Sequence, residues 1–292
     1  MLAFLTIRNY QPFTFCSQKD VMPELPEVET TRRGIAPYLV GKRICRVTVR
    51  TAKLRLPLQP DLDSILSGRI ISAVERRGKY LLVRFTAGTL ILHLGMTGNL
   101  RLVQADTPPG RHDHLDLVLN SGLCLRLTDP RRFSTIVWTH DDPLRHTLLA
   151  KHGPEPLTGD FSGDYLYTKS RGRRITVKQF IMDSRVLAGV GNIYACEALF
   201  RAGIHPETPA GALSTTHCLR LADTIKEVLT DAIASGGSTL GDFLVSEGKP
   251  GYFPMSFSVY GRNDAPCPGC GAPIRRSRQG GRSTYFCDRC QH

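Results

Sequence analysis

The chain has 292 residues, which is long enough for two domains with buried cores. Its 38 Lys and Arg residues outnumber 26 Asp and Glu, and the formal net charge of +12 favours a polyanionic partner, nucleic acid ahead of a membrane surface. No apolar run approaches the roughly 18 residues that span a bilayer, so no membrane partner is expected. Five of the nine cysteines are scattered, which predicts reduced thiols in a cytoplasmic protein: Cys16, Cys45, Cys124, Cys196 and Cys218.

Residues 1–21 differ in character from the rest of the chain. Met1 to Ile7 is apolar but short, and no small-residue cleavage site follows it, so the segment is a poor secretory signal. We expect residues 1–21 to be a non-native extension, with Met22 as the true beginning. A genuine extension that blocks Pro23 is the alternative.

The segment Met22-Pro23-Glu24-Leu25-Pro26-Glu27-Val28-Glu29 places a proline directly behind a methionine. If that methionine starts the chain and is removed, Pro23 carries a free secondary amine with a pKa of about 8, which is partly unprotonated at neutral pH. Such an amine can attack an electrophilic sugar carbon and form an iminium, with Glu24 moving protons beside it. The competing interpretation is a loop leading into an ordinary amphipathic helix. A helix is predicted there by four residues at helical spacing, Val28, Thr31, Ile35 and Leu39.

Short β runs fill the chain from Ile44 to about Val137, as in an antiparallel sandwich or barrel. The predicted strands are Ile44–Arg50, Arg69–Arg76, Tyr80–Phe85, Thr89–Leu94, Leu115–Leu119 and Leu123–Leu127. Asn120-Ser121-Gly122 is a hairpin turn between the last two. Lys79, at the start of a strand, is either a solvated edge charge or a phosphate ligand.

Two loops interrupt these strands, His93-Leu94-Gly95-Met96-Thr97-Gly98 and Asp129-Pro130-Arg131-Arg132-Phe133. Met96 and Phe133 lie in Gly- and Pro-containing turns rather than at core spacing, and Arg131 flanks Phe133. Proteins that separate a DNA base step insert apolar wedges together with arginine. The alternative, that Met96 and Phe133 pack into the core, is equally compatible with the pattern.

Helical periodicity follows a linker at His152–Leu157, and it predicts helices over Ile175–Leu187, Asn192–Ala202 and Thr215–Ser235. The Gly-rich turn before Asn192 can hold a phosphate on its backbone amides, although a helix start without a ligand is the commoner explanation. Lys178 belongs to a basic run that is by itself typical of a solvated face. Gly236–Pro254 is predicted to be a loop.

Two C-x-x-C pairs separated by sixteen residues end the chain: Cys267 and Cys270, then Cys287 and Cys290. This spacing predicts a tetrahedral Cys₄ site for one structural zinc ion, since four thiolates leave no open position for a catalytic water. Arginines between the pairs, including Arg276 and Arg282, predict a phosphate-facing β-hairpin.

Five of these motifs, in this order, resemble the formamidopyrimidine-DNA glycosylase family, and the resemblance extends from Met22 to His292. They are the segment that starts at Met22, the loops that start at His93 and Asp129, the Gly-rich turn before Asn192 and the Cys₄ hairpin. The resemblance implies a bifunctional glycosylase and abasic-site lyase that removes oxidised purines, 8-oxoguanine and formamidopyrimidines, from duplex DNA in base excision repair. Strand cleavage there follows a Schiff base by β- and δ-elimination. The implied protein is a monomer of the bacterial cytoplasm, associated with the nucleoid.

The implied fold is of the α+β multidomain class. It has an N-terminal helix on an antiparallel β-sandwich (22–150), a helix–two-turn–helix domain (151–254) and a C-terminal Cys₄ zinc hairpin (255–292).

The resemblance also implies roles for individual residues. Pro23 would be the nucleophile, Glu24 the general acid and base, and Lys79 a catalytic phosphate ligand. Met96, Arg131 and Phe133 would fill the space left by the extruded nucleotide. Phosphate contacts would come from Asn192, Tyr260 and Arg282, and the remaining expected DNA contacts are His93, Lys178 and Arg276.

Departures from the family pattern leave alternatives. Gly241 stands where some relatives carry a lysine near the lesion base, and Ser134 replaces a glycine that often follows the Arg-Arg-Phe run. A relative of endonuclease VIII that prefers oxidised pyrimidines is the nearest rival, which Leu25 disfavours. The other rival interpretation is a non-catalytic, zinc-dependent DNA-binding protein, which applies if the N-terminal extension is retained.

Overall fold

The computed structural model describes residues 22–236 and 257–292, so the extension at 1–21 and the Gly241 loop lie outside the described residues. In chain order the elements are α1 (Leu25–Leu39), β1 (Ile44–Val49), α2 (Leu62–Leu66), β2 (Ile71–Arg77), β3 (Tyr80–Phe85), β4 (Gly88–His93), β5 (Asn99–Gln104), β6 (Asp113–Leu119), β7 (Leu123–Thr128), β8 (Thr135–Thr139), α3 (Gly163–Ser170), α4 (Val177–Met182), α5 (Asn192–Ala202), α6 (Thr215–Ala234), β9 (Arg275–Gln279) and β10 (Arg282–Phe286). None of these helices has the length and apolar character needed to cross a bilayer.

The first part of the chain folds into two four-stranded antiparallel sheets, ordered β1-β6-β7-β5 and β2-β3-β4-β8. Their inward-facing leucines, isoleucines and valines form one core, because alternate residues of each strand face the same side. Helix α1 adds Val28, Ile35 and Leu39 to that core, and Thr31 is buried as well. The predicted helix stripe and the α+β class are confirmed.

The six predicted strands are present, and β5 and β8 are two that the sequence reading omitted. Strand β5 pairs with β7 alone at the edge of its sheet. Its Leu100 and Leu102 alternate with Asn99 and Arg101, so a period-2 pattern was present behind the Gly98 turn.

The second part is helical, with α5 and α6 packed around a separate apolar core. Helix α5 matches its predicted bounds, whereas the helix predicted over Ile175–Leu187 ends at Met182. The Asp183 side chain accepts a hydrogen bond from the amide of Arg185 at 2.9 Å, and this local turn competes with the helix.

The three parts meet at the beginning of α1. The amide of Leu25 donates to the carbonyl of Gly189 in the helical part, at 3.1 Å. Hairpin β9–β10 packs on α5 through β10. The starts of α1 and α5 and the strand β10 therefore lie together.

Candidate active site

Glu24 is held at the junction by groups from both parts of the chain. Its backbone amide donates to Glu27 Oε2 at 2.9 Å, which fixes the first turn of α1 behind Pro23. Its carboxylate accepts from the amides of Ile193 at 2.9 Å and Tyr194 at 3.4 Å, in the first turn of α5. The half-buried Pro23 therefore lies directly beside a carboxyl group that is 2% exposed.

The pKa of Glu24 is raised by burial, which outweighs the opposing effects of the Lys79 charge and of the two α5 amides. The pKa of Lys79 is lowered, chiefly by burial and further by Arg282, while the Glu24 charge opposes the shift. Both groups are thus displaced toward their neutral forms, in which Glu24 is a proton donor and Lys79 a proton acceptor.

Lys79 follows Gly78 in the two-residue turn between β2 and β3, immediately before β3 begins at Tyr80 as predicted. Glu155 holds this turn, since its Oε1 accepts from the Gly78 amide at 2.6 Å and from Arg77 Nη1 at 2.9 Å. Its Oε2 accepts from Arg76 Nη1 at 2.7 Å. The linker between the two parts therefore sets the position of Lys79.

The hairpin is fastened to the helical part at the same junction. Lys178 Nζ donates to Thr284 Oγ1 at 2.7 Å and to the Ser283 carbonyl at 3.2 Å, and Asn192 Nδ2 donates to that carbonyl at 2.9 Å. These bonds leave Arg282 exposed at the start of β10. Its charge acts on both Lys79 and Lys178, so the hairpin contributes positive potential to the site.

Four cysteine Sγ atoms lie within 4.8 Å of one another at the base of the hairpin, those of Cys267, Cys270, Cys287 and Cys290. Two of the Sγ–Sγ distances are 3.8 Å and 3.5 Å. Tetrahedral zinc with Zn–S bonds of about 2.3 Å requires about 3.8 Å between sulfurs, so the arrangement fits the ion. The cluster is a structural zinc site, with all four positions supplied by the protein.

Comparisons with known proteins agree with this geometry. Residues 22–136 match the formamidopyrimidine-DNA glycosylase N-terminal domain, 152–243 match the H2TH domain of the same enzymes, and 265–292 match a zinc finger of that family and of IleRS. A formamidopyrimidine-DNA glycosylase of Geotalea daltonii is 59% identical over 270 residues, covering 92% of this chain and 100% of the relative.

The chain belongs to the formamidopyrimidine-DNA glycosylase family.

Solved structures of the family share the fold over 92% of this chain and 100% of their own. A Lactococcus lactis formamidopyrimidine-DNA glycosylase bound non-covalently to DNA with an abasic site aligns with a TM-score of 0.83 at 34% identity. The same enzyme bound to DNA with a formamidopyrimidine lesion aligns with a TM-score of 0.83 at 36% identity. The predicted family and fold are confirmed.

The structure places most of the expected site residues of this family member in two groups. One group surrounds the junction of α1, α5 and β10: Pro23, Glu24, Lys79, Lys178, Asn192 and Arg282. Lys178 is 1% exposed, and its ammonium bonds the hairpin, so in this structure it connects α4 to β10. Burial lowers its pKa.

A second group lies on the two loops that leave β4 and β7. Met96 is half-buried, Phe133 is 39% exposed, and the Arg131 guanidinium is 4.8 Å from the centre of the Phe133 ring. These side chains are therefore at the surface rather than in the core. The His93 ring contacts that of Tyr80, with ring centres 4.6 Å apart and ring planes inclined at 54°, beside the Lys79 turn. Its position adjoins both groups.

Tyr260 and Arg276 occupy the edges of the hairpin region. Tyr260 is half-buried with its ring 5.1 Å from that of Tyr285, and Arg276 is exposed on β9 opposite Tyr285. The backbone amide of Tyr260 donates to Glu197 Oε1 of α5 at 2.8 Å. Glu197 therefore fixes the chain that carries Tyr260.

Several carboxylates of the site bind partners that the sequence does not reveal. Glu27 accepts from the Tyr194 hydroxyl at 2.6 Å, across 167 positions of sequence. Glu155 lies in a stretch that reads as a linker, and Glu197 reads as one helix carboxylate among several. Each of these carboxylates acts through a partner far away in the chain, which a motif search cannot detect.

Proposed function

We propose that the protein is a bifunctional DNA glycosylase and abasic-site lyase. It excises oxidised purines, 8-oxoguanine and formamidopyrimidines, from duplex DNA in base excision repair. It would act as a monomer in the bacterial cytoplasm, at the nucleoid. The proposed division is a catalytic sandwich domain (22–150), a helix–two-turn–helix domain (151–254) and a zinc hairpin (255–292).

The observation that carries this proposal is the position of Pro23 immediately before Glu24, whose carboxyl group is held by the α5 amides. The pKa of Glu24 is raised by burial, and Lys79, whose pKa is lowered by burial, interacts electrostatically with it. A nucleophilic amine that forms a Schiff base needs proton donors and acceptors within reach for each bond it makes or breaks. Glu24 and Lys79 supply both.

In the proposed reaction the Pro23 nitrogen attacks C1′ of the damaged nucleoside while Glu24 donates its proton to the sugar ring oxygen, so the bond from C1′ to that oxygen breaks and the ring opens. The proton on the Pro23 nitrogen then passes to the departing base, the bond from C1′ to the base breaks, and the iminium forms. The positive iminium acidifies the C2′ proton. Removal of this proton by the Glu24 carboxylate expels the 3′ phosphate, and removal of the C4′ proton then expels the 5′ phosphate. This sequence requires a free amine at Pro23, and we therefore propose that residues 1–22 are absent from the active protein.

The proposed DNA contacts follow from the two groups of residues. We propose that Asn192, Arg282 and Lys79 contact backbone phosphates and that Tyr260 and Arg276 extend that surface. Phe133, Met96 and Arg131 would enter the duplex where the damaged nucleotide leaves the stack, which offsets the few kcal/mol of extrusion. His93 lies between these surfaces, and Lys178 holds the hairpin that bears Arg282. The Lactococcus lactis relatives bound to abasic-site and formamidopyrimidine DNA support this partner.

A base-release assay tests the proposal. Protein begun at Met22 is incubated with duplexes that carry either 8-oxoguanine or an oxidised pyrimidine, at a single position. We expect faster release of 8-oxoguanine and cleavage of the same strand. Preferential release of the oxidised pyrimidine would instead place the protein with the endonuclease VIII relatives.

A further inference from the structure

Two loops cross between the sheets of the sandwich side by side. The first, residues 94–98, leads from β4 in one sheet to β5 in the other, and the second, residues 129–134, leads from β7 back to β8. Because β4 pairs with β8 and β5 pairs with β7, both ends of the two loops are adjacent. Met96 lies on the first loop, and Arg131 and Phe133 lie on the second.

Asp129 joins the two loops beneath these side chains. Its Oδ1 accepts from the Thr97 hydroxyl of the first loop at 2.5 Å, and its Oδ2 accepts from the Ser134 amide at 2.7 Å. Asp129 is 0% exposed, so water does not compete for these bonds. The two loops are therefore joined by polar contacts to a carboxylate that is shielded from water.

Ser134 adds a second connection. Its Oγ lies 2.7 Å from Asp129 Oδ2 and 3.0 Å from the carbonyl oxygen of Leu94 in the first loop, so its one proton can be donated to either acceptor. Ser134 is 1% exposed. A glycine at this position has no hydroxyl and cannot make either contact.

The backbones of the two loops also pack without a gap. A Cβ atom on Gly95 would lie 2.5 Å from the carbonyl group of Phe133, and one on Gly98 would overlap both Ser134 Oγ and the Leu94 carbonyl. Since neither loop can shift without displacing the other at these points, the hydroxyl of Ser134 lies in a closely packed joint.

We propose that the Ser134 hydroxyl is a positioning group that locks the two loops together, so that Met96 and the Arg131–Phe133 pair enter a duplex as one rigid unit. This inference rests on the proposed function. It assigns to the Ser134 hydroxyl a connection that a glycine at this position could not make. Ser134 does not touch DNA, and it acts through the two loops it joins.

The test compares two substrates with protein that begins at Pro23. Ser134→Ala removes the hydroxyl and keeps the Cβ, and we expect single-turnover release of 8-oxoguanine from a duplex to fall about fivefold or more. Borohydride trapping on a single-stranded abasic oligonucleotide, which has no stack to fill, should stay within about twofold of wild type. Ser170→Ala is the matched control, because Ser170 is equally buried and donates to the Tyr167 carbonyl of α3, away from both loops.

Thr97→Val provides a second variant in case Ser134→Ala unfolds, as judged by its melting temperature. It removes the hydroxyl that approaches Asp129 from the other loop, and the same split between substrates is expected. An unchanged duplex rate, or equal losses on both substrates, would overturn the inference while leaving the proposed function intact. Failure of the wild-type protein to be trapped at all would overturn the proposed function instead.

A double-mutant cycle measures the locking directly. Met96→Ala and Phe133→Ala are made singly and together, with and without Ser134→Ala, and duplex release is measured for each. When Ser134 is present, we expect the effect of Met96→Ala and Phe133→Ala together on the release rate to differ by about threefold or more from the product of their separate effects. In the Ser134→Ala background we expect the two effects to multiply. Independent, multiplicative effects in the presence of Ser134 would contradict a rigid unit.

Discussion

Burial at the junction raises the pKa of Glu24 and lowers the pKa of Lys79. Burial favours the neutral form of each group, and it outweighs the attraction between the Glu24 and Lys79 charges, which opposes both pKa shifts. This arrangement matches a reaction that both donates a proton to a sugar oxygen and removes protons from sugar carbons.

His93 gives a pH-dependent prediction at the residue scale. Burial, together with the nearby positive charges of Lys79 and Arg55, lowers its pKa to about 4. Its Nδ1 accepts a hydrogen bond from the Gly95 amide at 3.0 Å, which requires that nitrogen to be unprotonated. The native ring therefore stays neutral down to about pH 4, whereas the unfolded ring takes a proton below its ordinary pKa of about 6.5.

It follows that His93 lowers the stability of the native state as the pH falls from about 6.5 to about 4. We compare the free energy of unfolding of His93→Gln with that of wild type at each pH. We expect this difference to shift in favour of the variant by up to about 2 kcal/mol when the pH is lowered from 7.5 to 5.0. Denaturant unfolding at the two pH values measures this difference. A difference that does not change with pH would mean that His93 is not held neutral.

At the scale of elements, the meeting of α1 with α5 places the carboxyl group of Glu24. The first amides of α5 are not used within that helix, and two of them bind the carboxylate. Gly191, just before α5, allows the approach: a Cβ atom there would overlap the Glu24 carboxyl group. The glycine is thus required by a residue 167 positions earlier.

Gly191→Ala is expected to displace the Glu24 carboxyl group and to lower base release at least about 100-fold, the usual contribution of a general acid. Gly159→Ala is the control, because Gly159 has no atom within 4 Å of its added Cβ. Single-turnover base release from an 8-oxoguanine duplex measures both. Full activity of Gly191→Ala would show that Glu24 is not the acid.

On the scale of the whole molecule, the zinc site maintains the hairpin that bears Arg282. Without the ion, the four thiolates are no longer held together. The hairpin is then destabilised, and with it the hydrogen bonds from Lys178 and Asn192 to β10. We expect Cys287→Ser to lose zinc and to weaken duplex binding by about tenfold or more.

Trapping of this variant on a single-stranded abasic site should persist, since Pro23 and Glu24 immediately precede α1 and the Glu24 carboxylate is held by amides of α5, outside the hairpin. Cys45→Ser is the control, because Cys45 is an exposed residue of β1 outside the cluster. Metal content, duplex affinity and trapping are measured together. Unchanged duplex affinity without zinc would mean that the hairpin does not bind DNA.

Much of the fold follows from local pattern. The stripe on α1, six strands, the start of α5 and the paired cysteines were all predictable, because each depends on residues close together in sequence. Strand β5 was missed although its alternation is present, and the helix at 175 was predicted too long because the Asp183 turn was not recognised.

The supports of the site were not predictable, because they depend on contacts across the fold. Lys178 read as part of a solvated basic run, yet its ammonium is buried against β10. Glu155 read as linker, yet it holds the Lys79 turn. The pKa shifts of Glu24 and Lys79 likewise arise from burial that only the assembled structure creates.

Borohydride trapping on 8-oxoguanine duplex DNA tests the role of the Pro23 amine most directly. The protein is prepared in two forms, one beginning at Pro23 and one retaining residues 1–22, and Pro23→Gly is made in the first. The predicted result is a trapped complex with the first form, its near-complete loss in Pro23→Gly, and none with the second form. Equal trapping of the form that retains residues 1–22 would contradict a nucleophilic Pro23 amine.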